Sequence, residues 1–409
     1  MTKEVFIVAD IGLNKSEGYH VGDEAMFLAN LERYLKLGGW VVNASSRSIS
    51  HSNLDFNEFL DIYITSQDMY CDLKNKVNEL IANGSNNFPD FFKPTIEAVK
   101  RSSLVHISGG GNLTTLWKGH IYYRCFIIYL AKQFGKKVIL TGQTIGHLDD
   151  TFCKQILLEE LNKVDLIGLR DKKDSAYILN NIGVSKNICI MIDDAYLWKI
   201  PDNKNSPKVE IKVGLSIHKW NHKFNQMLKL VDALNSLSKI YKLKVYLIPH
   251  YTSIDGNNDC VYMNNLLLKS KTLTNIFAYT HQNLTEIDGA NTAEKIFSLT
   301  SKMDIMLTTR YHGLVFGFAS LVPTLAINID EYCSQKNWGF LELFNATEII
   351  LNDHTISLKA APLELELKIK YLIDNNQKIK TKLKMERADI LTNLETLTLE
   401  KILHTLNLI

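Results

Sequence analysis

A chain of 409 residues is long for a single hydrophobic core, so we expect two domains of about 150–200 residues each. Apolar residues make up 46% of the sequence and charged residues 22%, which is typical of a globular protein and excludes a disordered or fibrous class. The formal net charge is only +2, and charges of both signs are interleaved. This balance argues against nucleic acid as a partner, because such proteins usually carry a basic stripe, but it leaves room for a local basic pocket that binds a small anion.

The sequence predicts neither a secretory leader nor a membrane span. The first apolar run, of about six residues before Asp10, is predicted to be a strand, and no run reaches the ~20 apolar residues of a membrane helix. The cysteines form no CxxC pair, which favours free thiols of a reducing compartment over a disulfide or zinc framework. They are Cys71, Cys125, Cys153, Cys189, Cys260 and Cys333. We predict a cytoplasmic protein without metal or cofactor, and peripheral association with the inner face of the membrane stays open.

The first half of the chain alternates short apolar or β-branched runs with helical patterns. The predicted strands are Val5–Ala9, Trp40–Ala44, Leu104–Ser108, Lys137–Thr141, Val164–Leu169 and Ile188–Ile192. Helices are predicted at Gly22–Leu37, where two glycines close the helix, and at Trp117–Phe134. Strands that alternate with helices of this length predict a parallel sheet with right-handed crossovers.

The alternation starts again after residues 201–207, a polar segment bracketed by two prolines that is predicted to be a linker. The later elements are the strands Val213–Ile217, Lys244–Ile248, Asp304–Thr308 and Thr324–Ile327, the helix Gly313–Ser320, and a helical pattern from Leu363 onward. The predicted fold is α/β, with two Rossmann-like doubly wound parallel-sheet domains facing a cleft. We place these domains at residues 1–200 and 201–350, and a helical segment that packs on the body at 351–409.

Three glycine-containing segments follow predicted strands, at the edge where ligands bind in such sheets. In the first, Gly22 would let a ligand approach the backbone at a helix N-terminus, although Asp23 and Glu24 are also what a plain helix cap carries. The missing GxGxxG spacing argues against a dinucleotide. Residues 109–113 and 142–146 are predicted to be turns, which either make room for a ligand or only let the chain cross over tightly. Their candidate residues are Gly110, Gly111, Asn112 and Gln143.

Basic residues mark other strand ends. Arg170 either points towards a ligand or forms a surface salt bridge with a neighbouring carboxylate. His218 and His250 follow two strands of the second half, where they are either hydrogen-bonded structural residues or a ligand-binding pair. The strongest local site is the segment Thr308–Gly313, which joins a buried strand to an apolar helix and places an arginine beside a histidine able to titrate near neutrality.

Taken in chain order, these elements resemble the polysaccharide pyruvyl transferase family. The matching segments are GYHVGDEA (18–25), GGGNL (109–113), GQTIG (142–146), LRDKKDS (169–175), DDA (193–195), GLSIH (214–218), IPH (248–250) and TRYHGLVFGFASLVPTLAI (309–327). The Arg-x-His-Gly element with its downstream proline is the most specific of them. The resemblance implies a GT-B-like pair of Rossmann-type domains, in keeping with the two series of strands.

The resemblance also implies phosphoenolpyruvate as the donor, whose phosphate and carboxylate both need cations. Arg310 and Arg170 would bind these anions through planar forked donors. His312 would be the general acid–base residue, and Asp23, which matches the acidic residue of the GDEA element, would act on the acceptor. The predicted phosphoenolpyruvate site is completed by Tyr311, His218, His250 and Lys336, and the predicted acceptor loops contain Gly22, Gly110, Gly111, Asn112 and Gln143.

Three positions depart from the family pattern. His20 stands where asparagine is usual, and His147 stands where proline is usual. Many members carry a lysine twenty residues after the motif histidine, where this chain has Tyr332. Lys336 follows four residues later, one helical turn away if the segment is helical, and is either a replacement for that ammonium group or a surface lysine.

The predicted function is the transfer of pyruvate from phosphoenolpyruvate to a pair of sugar hydroxyls, forming a cyclic ketal in surface polysaccharide biosynthesis. The saccharide acceptor, lipid-linked or not, stays undetermined. One alternative is a nucleotide-sugar glycosyltransferase on the same scaffold, with Asp330 and Glu331 binding the ribose. The other is a non-catalytic scaffold of a polysaccharide assembly complex.

Overall fold

The structure is a computed structural model that describes residues 2–11, 18–46, 55–198, 210–219, 223–252, 259–269, 276–278, 292–344, 353–393 and 399–409. The chain divides into two compact units. The first comprises Met1–Gly12, Asp23–Asp194 and Leu394–Ile409, and the second Leu13–Gly22 and Ala195–Asn393. These units are not the contiguous segments predicted at 1–200, 201–350 and 351–409, because the second takes in a short stretch near the start of the chain and most of the C-terminal helical segment. The predicted linker at 201–207 lies outside the described residues.

The first unit contains the strands β1, β3 to β9 and the helices that connect them. Up to residue 190 the elements are β1 (Lys3–Ile11), β2 (Tyr19–His20), α1 (Val21–Leu37), β3 (Trp40–Ser46), β4 (Asn57–Leu60), α2 (Gln67–Asn83), α3 (Lys93–Arg101), β5 (Leu104–Ile107), β6 (Gly110–Leu113), α4 (Lys118–Gln133), β7 (Lys137–Ile145), α5 (Thr151–Leu161), β8 (Leu166–Leu169), α6 (Asp174–Asn181) and β9 (Ile188–Ile190). The strand order is β4-β3-β1-β5-β7-β8-β9, with every neighbouring pair parallel and β6 paired to β7. The predicted parallel sheet is confirmed.

Helix α4 explains how one face of this sheet is covered. Every residue from Ile121 to Ala131 is buried, so the helix is enclosed on all sides rather than amphipathic. It packs against α2, α5 and the sheet. Since Phe126, Ile127 and Leu130 are completely excluded from solvent, this helix and the strands beneath it form the core of the first unit.

The two glycine segments of the first unit are not the turns that the sequence predicts. Strand β7 does not end at Thr141 but continues to Ile145, with a register shift between Leu140 and Gln143. Gly142 lies at this irregularity with φ +54°, a left-handed conformation that glycine adopts at little cost. Residues 110–113 likewise form a strand, β6, alongside β7. Both segments therefore extend the sheet edge.

The second unit repeats the parallel architecture with a smaller sheet. Its elements are β10 (Ile211–Ser216), α7 (Phe224–Leu237), β11 (Leu243–Leu247), β12 (Tyr251–Thr252), α8 (Asp259–Leu267), β13 (Ile276–Ala278), α9 (Thr292–Ser301), β14 (Ile305–Thr308), α10 (Tyr311–Ala319), β15 (Thr324–Asn328), α11 (Glu331–Glu342), β16 (Thr355–Ser357), α12 (Pro362–Asp374) and α13 (Asn376–Asn393). The order β13-β11-β10-β14-β15-β16 is parallel throughout. A separate antiparallel ribbon joins β2 to β12.

Helix α10 lies unusually close to this sheet, which matters because its first residues carry the Arg-Tyr-His element. A Cβ atom on Gly313 would lie 2.2 Å from Thr308 Oγ1, and one on Gly317 would lie 2.0 Å from Thr324 Oγ1. Only glycine fits at these two positions, on the face that contacts β14 and β15. The N-terminus of α10 is thereby held against the carboxyl end of β14.

The C-terminal helical pattern is confirmed, and it packs on the second unit through residue 393. Helix α12 lies against α7, and Arg387 of α13 donates from Nη1 to the carbonyl oxygen of Ala319 at 2.7 Å. The guanidinium group of Arg387 also lies over the ring of Tyr196. The last helix, α14 (Leu399–Thr405), belongs to the first unit, where Lys3 Nζ donates to the carbonyl oxygen of Leu408. Among the described helices, none has the length and apolar character needed to cross a membrane.

Candidate functional site

The second unit brings four of the predicted basic residues to one edge of its sheet. Strands β11, β10 and β14 are adjacent and parallel, so their carboxyl ends lie side by side. His250, His218 and Arg310 follow these three ends, and His312 lies one residue inside α10. These predicted site residues therefore follow strand ends that are direct neighbours in the sheet.

Arg310 is held by a carboxylate that the sequence did not single out. Its Nε donates to Asp259 Oδ2 at 2.9 Å and its Nη2 to Asp259 Oδ1 at 2.6 Å, a two-pronged ion pair in which Asp259 is completely buried. The guanidinium carbon lies 5.4 Å from the ring centre of Tyr251. This pairing leaves Nη1 as the guanidinium nitrogen that Asp259 does not engage.

His250 is buried in its neutral form. Its Nδ1 lies 2.8 Å from Ser216 Oγ and 3.2 Å from the carbonyl oxygen of Ile248, and its backbone N–H donates to Asp259 Oδ2 at 3.1 Å. Burial lowers the pKa of His250 to about 3, with smaller contributions in the same direction from His312 and Arg310. Its Nε2 is buried without a hydrogen-bond partner among the described residues. The ring therefore contributes a hydrogen-bonding position to the site and no positive charge.

His312 is packed against the backbone of the first glycine motif. The ring stands edge-on to Tyr311, with centroids 5.1 Å apart, and lies near Phe316. An added Cβ on Gly22 would lie only 1.9 Å from His312 Nδ1, so the imidazole occupies the space that any other residue at position 22 would need. Gly22, which was predicted to belong to an acceptor loop, therefore lies against His312 and makes room for the imidazole.

His218 lies in a concentration of positive charge. Its backbone N–H donates to Thr309 Oγ1 at 2.7 Å, which ties the end of β10 to the end of β14. Burial lowers its pKa to about 2, and Arg310, Lys336 and His20 all push in the same direction. We call Arg310, Lys336 and His20, whose charges act on His218 in this way, the cationic cluster. Lys336 Nζ also lies 4.1 Å from the ring centre of Tyr332, the residue at the family's lysine position.

The GYHVGDEA segment begins in the second unit. Tyr19 and His20 pair antiparallel with Thr252 and Tyr251, and Val21 N donates to the carbonyl oxygen of His250 at 3.1 Å. The ring of His20 lies 4.8 Å from that of Tyr251, which in turn lies beneath Arg310. A position that departs from the family pattern is therefore part of the cationic cluster.

Arg170 is placed in the first unit, in a buried ion pair. Its Nη1 donates to Asp193 Oδ2 at 2.5 Å and its Nε to Thr144 Oγ1 at 2.8 Å. The side chains of Arg170 and Asp193 are 2% and 0% exposed. The salt-bridge alternative left open by the sequence is the one observed, except that the pair is buried rather than at the surface.

The other predicted loop residues of the first unit are mostly structural. Gln143 Nε2 donates to the carbonyl oxygens of Ser108 and Thr141 at 2.9 and 2.8 Å, so this buried amide satisfies the backbone between β5 and β7. Gly110 and Gly111 lie at the start of β6. Asp23 is half-buried in the first turn of α1, where a carboxylate complements the helix dipole.

Asn112 is the exception, because it joins a charged cluster. Its Nδ2 donates to Asp10 Oδ2, which also accepts from Arg124 Nη2. His120 lies beside both, with Nδ1 3.5 Å from Asp10 Oδ1 and 3.1 Å from Arg124 Nη1. Asp10, His120 and Arg124 were not singled out as site residues, and their only sequence signal is a carboxylate at the end of the first strand.

A cavity of about 470 Å³ lies at the ends of β15 and β16, further along the same edge of the second sheet. It is lined by Asn328, Asp330, Glu331, Ser334, Trp338 and Lys368, among others. Asp330 caps α11 by accepting from Cys333 N at 2.7 Å. In the part of the chain that the structure describes, no three acidic, cysteine or histidine side chains are grouped to hold a metal ion, and the five cysteines described are free thiols.

Gly22→Ala should displace the His312 imidazole without unfolding the protein. The new methyl group would overlap His312 Nδ1, so the imidazole must leave its position. We expect the NMR signals of the His312 ring to shift relative to those of the wild-type protein. Gly110→Ala is the matched control, because the nearest atom to its Cβ is Asn112 Nδ2 at 3.2 Å and no imidazole is displaced. Unchanged ring signals in Gly22→Ala would contradict the packing described here.

Comparisons with known proteins agree with this architecture. Residues 20–331 match the family described as polysaccharide pyruvyl transferase. No curated protein sequence matches the chain significantly.

Solved structures resemble the fold along nearly its whole length. A UDP complex of MnaA from S. aureus is 12% identical with a TM-score of 0.56, covering 100% of this chain and 98% of that one. The UDP-GlcNAc 2-epimerase of Methanocaldococcus jannaschii is 11% identical with a TM-score of 0.52, covering 91% and 93%. Anabaena Alr3699/HepE with UDP and glucose is 11% identical with a TM-score of 0.53, covering 95% and 94%. At such identities the likeness establishes the GT-B-like fold alone. The family match spans most of the chain, and the protein belongs to the polysaccharide pyruvyl transferase family.

Proposed function

We propose that the protein transfers pyruvate from phosphoenolpyruvate to two hydroxyl groups of a saccharide, with release of inorganic phosphate. The observation that carries the proposal is that Arg310, His218 and His250 follow three adjacent strand ends of the second unit, with His312 in the first turn of α10. A small trianion suits such a place, because forked and ammonium donors bind phosphate and carboxylate and a helix N-terminus favours negative charge. No cofactor is required by this scheme.

The chemistry follows from the groups available. His312 donates a proton to the methylene carbon of phosphoenolpyruvate, which makes C2 electrophilic. One sugar hydroxyl adds to C2 and loses its proton, and the C2–O bond to phosphate then breaks. A second hydroxyl adds to C2 and closes the cyclic ketal. One hydroxyl proton replaces the proton supplied by His312 and the other leaves with the phosphate. Arg310, through Nη1, and Lys336 stabilise the charge that develops on the departing phosphate.

We assign the acceptor hydroxyl to Asp23 as its base, since Asp23 directly follows Gly22 in the chain and Gly22 contacts His312. Arg170 is left out of this scheme because its side chain is only 2% exposed, with Nη1 engaged by Asp193 and Nε by Thr144. We also propose that the acceptor is a surface glycan precursor and that the protein acts in the cytoplasm, at the inner face of the membrane. These two proposals are based on the family membership.

A nucleotide-sugar glycosyltransferase is the second candidate, and two observations favour it. Fold relatives include complexes with UDP, and Asp330 and Glu331 line the cavity beside β15 and β16. The carboxylate of Asp330 is occupied in capping α11, however, and the cationic cluster has no role in ribose recognition. A non-catalytic scaffold would need neither the cluster nor the packing of His312.

Calorimetric titration with phosphoenolpyruvate and separately with UDP-sugars distinguishes these candidates. We expect phosphoenolpyruvate to bind, and Arg310→Ala to weaken its binding at least tenfold. We also expect a product heavier by about 70 Da when glycan precursors are incubated with enzyme and phosphoenolpyruvate, which is the mass of pyruvate joined with loss of water in the acid–base scheme. Binding of UDP-sugars alone would support the glycosyltransferase, and binding of neither would support the scaffold.

A further inference from the structure

Asp259 lies where three separate parts of the second unit meet. It is the first residue of α8, completely buried, and both of its carboxylate oxygens accept hydrogen bonds. Oδ1 accepts from Arg310 Nη2 at 2.6 Å, and Oδ2 accepts from Arg310 Nε at 2.9 Å and from the backbone N–H of His250 at 3.1 Å. One side chain thus connects the end of β11, the start of α8 and the end of β14.

This arrangement fixes the plane of the guanidinium group. A two-pronged bond between two planar groups allows little rotation, and the ring of Tyr251 lies against the guanidinium. Asp259 thereby aims the remaining nitrogen, Nη1. The hydrogen bond from the His250 N–H to Asp259 Oδ2 also holds the backbone of His250. His250 directly precedes Tyr251, and its carbonyl oxygen accepts a hydrogen bond from Val21 N.

The carboxylate also changes the charge of the anion site. Arg310 is paired with Asp259, so the two residues together carry no net charge. The net positive charge of the anion site is therefore smaller than its basic residues alone would suggest. A negative charge directly behind the guanidinium weakens the attraction of any anion in front of it. An enzyme that releases inorganic phosphate benefits from such weakening, because product that binds too tightly limits turnover.

We propose that Asp259 is a positioning residue that orients Arg310 for catalysis and lowers the affinity of the site for phosphate. The first part rests on the proposed pyruvyl transfer, whereas the second concerns anion binding alone. The inference predicts an unusual pair of effects, since losing the carboxylate should slow turnover and yet tighten phosphate binding. Damage to the fold would not tighten the binding of any ligand.

The test is Asp259→Asn, which keeps the shape of the side chain and removes its charge. We expect kcat for phosphoenolpyruvate to fall at least tenfold and Kd for inorganic phosphate to fall about tenfold, as the Coulomb term of one nearby charge implies. The matched control is Asp304→Asn, which alters another buried carboxylate that accepts a backbone N–H, from Lys212 at 2.8 Å, at the opposite end of β14. In this control, kcat for phosphoenolpyruvate and Kd for inorganic phosphate should both stay within threefold of the wild-type values.

Each outcome supports or overturns the proposal. Unchanged or weaker phosphate binding in folded Asp259→Asn overturns it, and a loss of activity equal to that in Asp304→Asn reduces Asp259 to a structural role. If wild-type protein binds phosphate but not phosphoenolpyruvate, the proposed function fails and Asp259 is still judged by its effect on phosphate. If it binds neither, both fail.

A second measurement covers the case in which Asp259→Asn does not fold. In the wild-type protein, the Nε–H proton of Arg310 should exchange slowly with water and give a resolved NMR signal, identified by its loss in Arg310→Lys. Titration with inorganic phosphate should shift this signal while it remains slowly exchanging. A signal that is exchange-broadened in the free protein would overturn the orientation of Arg310 by Asp259.

Discussion

Replacing His312 with glutamine is expected to lower kcat for pyruvyl transfer by about 10²–10⁴-fold, the range for loss of a general acid–base residue. Glutamine has a similar reach and can hydrogen-bond, but it cannot deliver a proton to the methylene carbon of phosphoenolpyruvate. The Kd for phosphoenolpyruvate should change by less than fivefold, because Arg310 and Lys336 remain. Phosphate release measures the first quantity and calorimetry the second.

His147→Gln is the matched control for this experiment. His147 is an exposed histidine whose ring faces Asp149 at 3.5 Å, with 70% of its side chain accessible. It should keep full activity even though position 147 departs from the family pattern. Loss of binding in His312→Gln in parallel with turnover would contradict a role in proton transfer and assign His312 to donor binding.

Replacing Arg170 with methionine is expected to destabilise the first unit by about 3–5 kcal/mol, because the buried carboxylate of Asp193 would lose the guanidinium group that balances its charge. Both side chains are almost fully buried, so water cannot solvate the remaining carboxylate. Denaturant unfolding of wild-type and variant protein measures the difference. The double variant Arg170→Met/Asp193→Leu should recover most of the loss, since it leaves no unpaired charge.

Arg101→Met is the comparison for this pair. Arg101 forms an ion pair with Glu4 at 3.5 Å, but half of its side chain is exposed. Exposed ion pairs contribute little to stability, so the unfolding midpoint should hardly move.

Folded Arg170→Met should bind phosphoenolpyruvate with unchanged Kd. Weakened binding at unchanged stability would instead restore Arg170 to the donor site, as the family resemblance implies.

Local patterns predicted the architecture well because the physical causes are local. Apolar runs such as the one around Ile7 become buried parallel strands, and helices between them follow from their length and spacing. The same reasoning placed His218, His250 and Arg310 at strand ends. That β14 lies beside β10 depends on the order of the strands in the sheet, which local patterns do not specify.

The parts that were missed depend on long-range contacts. Residues 142–146 contain two glycines, and nothing local distinguishes a turn from a strand with a left-handed residue in its middle. Asp259 is separated from Arg310 by 51 positions, and its importance appears only when α8 and β14 are folded together. Asp193 was noted within the DDA segment, but its partnership with Arg170 requires two strands to be placed side by side.

The short ribbon of Tyr19–His20 with Tyr251–Thr252 has a consequence for anyone who exchanges halves between family members. A chimera joined at residue 200 would combine the Gly22 backbone of one parent with the His312 ring of another, although the ring occupies the space that a side chain at position 22 would need. The residues that surround His312 are therefore encoded in two separate stretches of the gene. We expect chimeras to be active only when residues 18–22 travel with the C-terminal half.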